Sequence, residues 1–103
     1  MNGGASALPR DSVIANLFPD RLLVQTRECV LPGTRLVFRL VLEGNVLPMD
    51  VVTSACLVVG RVRQGYLFHI EVPLKQLPSA ERQIIALFIS KGRGEPSLER
   101  ARG

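Results

Sequence analysis

The chain predicts a mainly β domain, a small antiparallel barrel closed by one C-terminal helix, and three observations carry that prediction. Apolar residues recur at every second position from Leu36 to Leu42, with Arg35, Arg39 and Glu43 on the alternate face, which is the period of a half-buried strand. Short apolar runs are separated by turn formers at Pro32-Gly33, Gly44-Asn45 and Gln64-Gly65, the punctuation of hairpins. After Pro78 the apolar spacing changes to that of a helix. Several short strands followed by one helix describe a barrel with a helical lid, and 103 residues make one domain whose core is just large enough to hold it together.

Residues 1–11 are small, polar or Gly-rich and are expected to form a disordered head. The folded body is expected over 12–91. A short apolar strand from Ser12 to Leu17 leads into the Asn16 to Asp20 connection, and Leu22, Val24 and Thr26 then share one face of the next strand. Past Pro32-Gly33-Thr34 a long strand runs from Arg35 to Glu43. Gly44-Asn45 turns the chain into a single long strand from Met49 to about Val62. Val51, Thr53, Ala55, Leu57 and Val59 lie on one face of it and Val52, Ser54, Cys56 and Val58 on the other. Its second half is therefore expected to be covered on both sides. Gln64-Gly65 precedes a last strand in which Tyr66, Phe68, Ile70 and Val72 form the core stripe, alternating with Leu67, His69 and Glu71; Pro73 and Pro78 end the sheet. The helix is expected over 79–91, with Ser79 as N-cap, Glu81 in the first turn, Ile84, Ile85, Leu87, Phe88 and Ile89 as its apolar stripe, and Lys91-Gly92 at its end. The Gly- and charge-rich tail, 92–103, is expected to be disordered.

Composition narrows the function classes. No apolar run approaches the roughly 20 residues of a membrane span, so no membrane insertion is expected. The first residues lack the basic start and apolar stretch of a signal peptide, which makes the cytoplasm the expected location. Cys29 and Cys56 lie far apart in the sequence with no second pair and no ligand-like spacing to His69, so neither a zinc site nor a disulfide framework is expected, and both are read as small buried or half-buried thiols, with no metal or cofactor. His69 alternates onto the face of Glu71, a pattern of solvated strand positions. With no nucleophile elbow, phosphate loop or His-Glu-x-x-His helix in the chain, no enzymatic activity is expected. A net charge of +4 and a pI near 9.8 would suit a polyanion, so a basic barrel that binds nucleic acid is a competing class. Against it, Arg82, Lys91, Arg93, Arg100 and Arg102 gather in the helix and tail, and Phe18 is the one aromatic residue outside the expected core.

The segment from Asn16 to Thr26, with the strands, turns and helix that follow, resembles a PilZ domain over roughly 13–91. In that family the second half of the cyclic-di-GMP site reads acidic-or-Asn, x, Ser, x, x, Gly before an outgoing strand. Here Asn16 matches the first position, Phe18 stands at the Ser and Arg21 at the Gly. Of the family's Arg-x-x-x-Arg arm there is Arg10, with Ile14 at the place of the second arginine. Because a guanidinium binds phosphate as a bidentate fork, losing that arm removes most of the charge complement to the ligand. The resemblance implies a signalling or adaptor domain in cyclic-di-GMP-linked regulation, acting by protein–protein interaction with weak or no direct nucleotide binding. Its alternative is a degenerate receptor that still binds cyclic-di-GMP as a dimer. In a surviving site Arg10 and Arg21 would contact phosphate and Asn16 a base or the loop. On the residues alone, Asn16 and Asp20 are turn formers around Pro19, and Phe18 and Asp20 are candidates for a partner surface. A barrel lacking the family's first strand would leave an open sheet edge, expected to be covered by a homodimer or a protein partner.

Overall fold

The computed structural model describes residues 4–92 and 94–100. Among these, seven strands form two antiparallel sheets. The strands are β1 (Val13–Leu17), β2 (Arg21–Thr26), β3 (Arg35–Leu42), β4 (Asn45–Val52), β5 (Ala55–Val62), β6 (Gly65–Pro73) and β7 (Ser97–Arg100), with helix α1 (Ser79–Lys91) after β6. One sheet has the order β1-β2-β6-β5 and the other β4-β3-β7. The mainly β architecture with a C-terminal helix is the one the alternation predicts. No helix among the described residues is long and apolar enough to cross a membrane.

The core is built from the inward face of each strand. Leu22 and Val24 of β2, Leu36, Phe38, Leu40 and Leu42 of β3, Leu47, Met49 and Val51 of β4, and Ile70 and Val72 of β6 are all buried. Removing this much apolar surface from water is the main term holding so small a domain together. Ile85 of α1 is buried with them, and Ile84, Phe88 and Ile89 pack alongside. Leu87 of the expected stripe faces water instead. The helix ends on Gly92, whose φ of 63° and ψ of 24° give the left-handed C-cap that glycine adopts most readily. At the other end Pro78 is the N-cap and Ser79 the first helical residue, with no side-chain capping bond. The fixed φ of proline suits a helix start.

Several expectations are corrected. The hairpin turns fall at Glu43-Gly44 and Arg63-Gln64, one residue before the expected pairs, because Leu42 faces Asn45 and Val62 faces Gly65. Gly44 supplies a φ of 79°, which frees Asn45 to begin β4. The single strand from Met49 to Val62 is two strands in different sheets. Thr53 N–H still donates to Thr34 O of the β3 side (2.9 Å), whereas Ser54 N–H donates to Glu71 O of β6 (2.9 Å). The chain thus passes from one sheet to the other within one peptide. Head and tail also contribute to the fold. Ser6 exchanges backbone bonds with Arg35 O and Val37 N–H, Leu8 is buried in the core, and β7 pairs with β3 from Phe38 to Val41. Together they line the side of β3 opposite β4. Residues 1–3, Arg93 and 101–103, assigned by the sequence to head and tail, lie outside the described residues.

Candidate interaction surface

The predicted ligand residues fall on separate surfaces. Arg21 opens β2, and the β2–β6 register places it within reach of Glu71. Its guanidinium meets Glu71 Oε2 at 3.5 Å and Asp20 Oδ2 at 3.5 Å, and it stacks over the Phe18 ring at 4.5 Å from the centroid. Two carboxylates and an aromatic face therefore already occupy this cation, and the local charge is unfavourable for a phosphate. Phe18, Asp20 and Arg21 are the members of the predicted set that come together. Phe18 N–H donates to Arg21 O (2.8 Å), so the loop is a tight turn.

Asn16 is exposed, and its Oδ1 accepts from Leu17 N–H at 2.9 Å, a local turn role. It borders an open groove of about 500 Å³ between β1 and the end of α1, lined also by Phe88, Ile89 and Pro96. Arg10 borders a different groove, of about 480 Å³, with Glu28, Cys29 and Arg100. Arg21 lines neither. His69 and Glu71, adjacent on one face of β6, are likewise partnered apart. His69 Nε2 contacts Gln25 Oε1 at 3.3 Å, and Glu71 Oε1 accepts from Ser54 Oγ at 2.7 Å.

The feature that sequence reasoning missed is the outer edge of β5. Expected to be covered on both sides, β5 lies at the end of its sheet, with Leu57, Val58 and Val59 exposed at 61%, 62% and 47%. A bulge falls at Val59, between Val58 and Gly60 in the pairing with β6, and Leu57 and Val58 before it are exposed on opposite faces of the strand. Tyr66, assigned to a buried stripe, is half exposed beside them. Its groove, of about 360 Å³, is lined by Arg27 and Arg63, and Arg61 faces Tyr66 across the β5–β6 ladder. The edge is apolar at its centre and basic at the hairpin end.

The edge of β4 is built differently. Pro48 faces Arg39 and removes one backbone donor from the strand. Gln76 covers the strand's end, its Oε1 accepting from Val52 N–H (2.8 Å) and its Nε2 donating to Val52 O (3.1 Å). Such devices block edge-to-edge pairing, whereas β5 contains no proline and, among the described residues, no side chain caps its outer side in this way. One signal in the sequence could have found this edge: Arg61 and Arg63 continue the strand that carries Leu57 and Val59, and unpaired arginines do not belong in a strand covered on both faces. No family model, curated protein or solved structure matches the chain.

Proposed function

We propose that the chain is a PilZ-like adaptor module of cyclic-di-GMP-linked signalling, which acts without catalysis by accepting a partner's strand on the edge of β5. The observation that carries this reading is the unguarded apolar edge Leu57-Val58-Val59 ending in Arg61 and Arg63. Strand addition uses the main chain for affinity and alternate side chains for specificity. The partner segment that fits is extended and apolar, with acidic residues flanking it on the side that meets Arg61 and Arg63. A second copy of β5 is a poorer match, since the strand contains no carboxylate to meet those arginines. The direct nucleotide role is weak or absent in this reading because Arg21 is engaged by Asp20, Glu71 and Phe18. In this reading the domain acts in the cytoplasm.

Calorimetric titration with cyclic-di-GMP at low salt, with Arg21→Ala and Arg10→Ala beside the wild type, tests the nucleotide part. No heat is expected up to high micromolar ligand. Micromolar binding abolished by either substitution would instead establish a degenerate receptor. One observation favours a second reading, single-strand nucleic-acid binding: Tyr66 is exposed beside Arg27 and Arg63, the aromatic-and-cation pairing on which bases stack. Salt-dependent binding of an oligonucleotide, lost in Tyr66→Ala, would select it.

A further inference from the structure

We infer that Cys29 and Cys56 are a two-cysteine modification site which a low-molecular-weight disulfide of the glutathione type converts into an intramolecular disulfide. The residues are 27 positions apart in the chain, yet their Sγ atoms are 3.9 Å apart. Cys56 is the second residue of β5, opposite Ile70 of β6. Cys29 is exposed on the connection between β2 and β3, where Arg27, Glu28, Leu31, Pro32 and Gly33 are exposed too. A disulfide needs the sulfurs at about 2.05 Å. The remaining approach falls to a connection exposed over most of its length, while β5 stays in its ladder.

Access and chemistry agree with this assignment. Cys29 borders the groove of about 480 Å³ that Arg10 and Arg100 also line, cations suited to the carboxylates of a glutathione-type disulfide. The more exposed thiol reacts first. Cys29 thiolate attacks one sulfur of the small disulfide, forming a mixed disulfide and releasing one small thiolate. Cys56 thiolate then attacks the Cys29 sulfur, forming the Cys29–Cys56 bond and releasing the second. The two protein thiols give up two protons and two electrons, and the small disulfide takes them to become two thiols, so the exchange balances.

The hydrogen bond with Cys56 and, secondarily, desolvation hold the Cys29 thiol above its ordinary pKa. The exchange is therefore slow at neutral pH and accelerates as pH rises. Its product would tie the β2–β3 connection to the exposed edge strand. The inference stands on the sulfur geometry and not on that edge having a partner.

The test incubates the reduced full chain with glutathione redox buffers at mildly alkaline pH and reads intact mass and free thiols after acid quench. The expected product is a monomer lighter by two hydrogen atoms, resistant to alkylation at both cysteines. Its equilibrium constant against glutathione should be at least about tenfold (about 1.4 kcal/mol) larger in the native chain than in the urea-unfolded chain. Cys56→Ser should stop at a stable mixed disulfide on Cys29. A wild-type protein that accumulates the mixed disulfide or forms interchain dimers overturns the inference, as do equal constants for native and unfolded chains.

Discussion

Thr53→Val tests what makes the chain leave one sheet for the other. Thr53 is 3% exposed; its Oγ1 donates to Leu31 O at 3.1 Å and accepts from Thr34 N–H at 3.2 Å. Valine keeps the shape and removes both bonds. Each is worth about 1 kcal/mol, but neither partner is orphaned. Leu31 O still accepts from Thr34 Oγ1, and Thr34 N–H still donates to Leu31 O at 3.2 Å. The expected cost is about 1–2 kcal/mol, or a fall in Tm of roughly 5–15 °C for a domain of this size. Urea and thermal denaturation measure it, with an unchanged urea dependence showing that the native and unfolded states are otherwise the same. Thr53→Ser, which keeps the hydroxyl and loses a buried methyl, should cost about 0.8 kcal/mol. If Thr53→Val is as stable as the wild type, the hydroxyl does not hold the sheet switch, and strand packing alone must set it.

Two further substitutions probe the edge and the surface charges. Val58→Lys places a cation on an exposed position and should leave stability within about 0.5 kcal/mol, yet weaken assembly through β5 several-fold. Denaturation and sedimentation with an acid-flanked apolar peptide check the two halves, and undiminished peptide binding would count against strand addition. Asp50→Asn removes the carboxylate that meets Arg35 Nε and Nη2 at 2.7 Å each. The hydrogen bond from Arg35 lowers the Asp50 pKa, so the pair's contribution is present above the ordinary carboxylate range and is lost as pH falls through the folded value. The stability gap between wild type and Asp50→Asn should therefore shrink on acidification below about pH 4, read by urea titration at each pH. A constant gap would mean the pair does not stabilise.

Local signals made β3, β6 and α1 legible. Leu36, Phe38, Leu40 and Leu42 all point inward, as period-two alternation requires, and Gly92 ends the helix at the expected place. What failed were statements needing a partner in space. Alternation through Val51, Thr53, Ala55 and Leu57 gives strand but not which sheet, and only the Leu31 and Thr34 contacts decide that the strand breaks at Thr53. Apolar residues on both faces of β5 fit a buried strand and a docking edge equally. Ser97-Leu98-Glu99-Arg100 has no strand signature of its own; it orders because β3 offers a free ladder and Arg39 meets Glu99 at 3.3 Å. The candidate site follows the same division. The turn at Phe18 to Arg21 was readable from Pro19 and Asp20, whereas the capture of Arg21 by Glu71 depends on the β2–β6 register.

The energetics of the β5 edge say what kind of partner it can hold. Leu57, Val58 and Val59 are roughly half buried already, so completing their burial contributes about 1 kcal/mol each, or about 3 kcal/mol together. Micromolar affinity requires about 8 kcal/mol after the cost of association is met. Main-chain bonds along an eight-residue strand and charge pairing at Arg61 and Arg63 must therefore supply most of the binding. A partner strand too short to reach from Leu57 to Arg63, or lacking acidic residues at that end, should bind far more weakly. By the same arithmetic, one lysine at Val58 removes about 1 kcal/mol of apolar contact, and any further weakening of docking comes from placing a charge on a strand edge. Partner choice at this edge thus resides mainly in the acidic end of the incoming strand, and affinity should fall with added salt more steeply than burial of valine and leucine could account for.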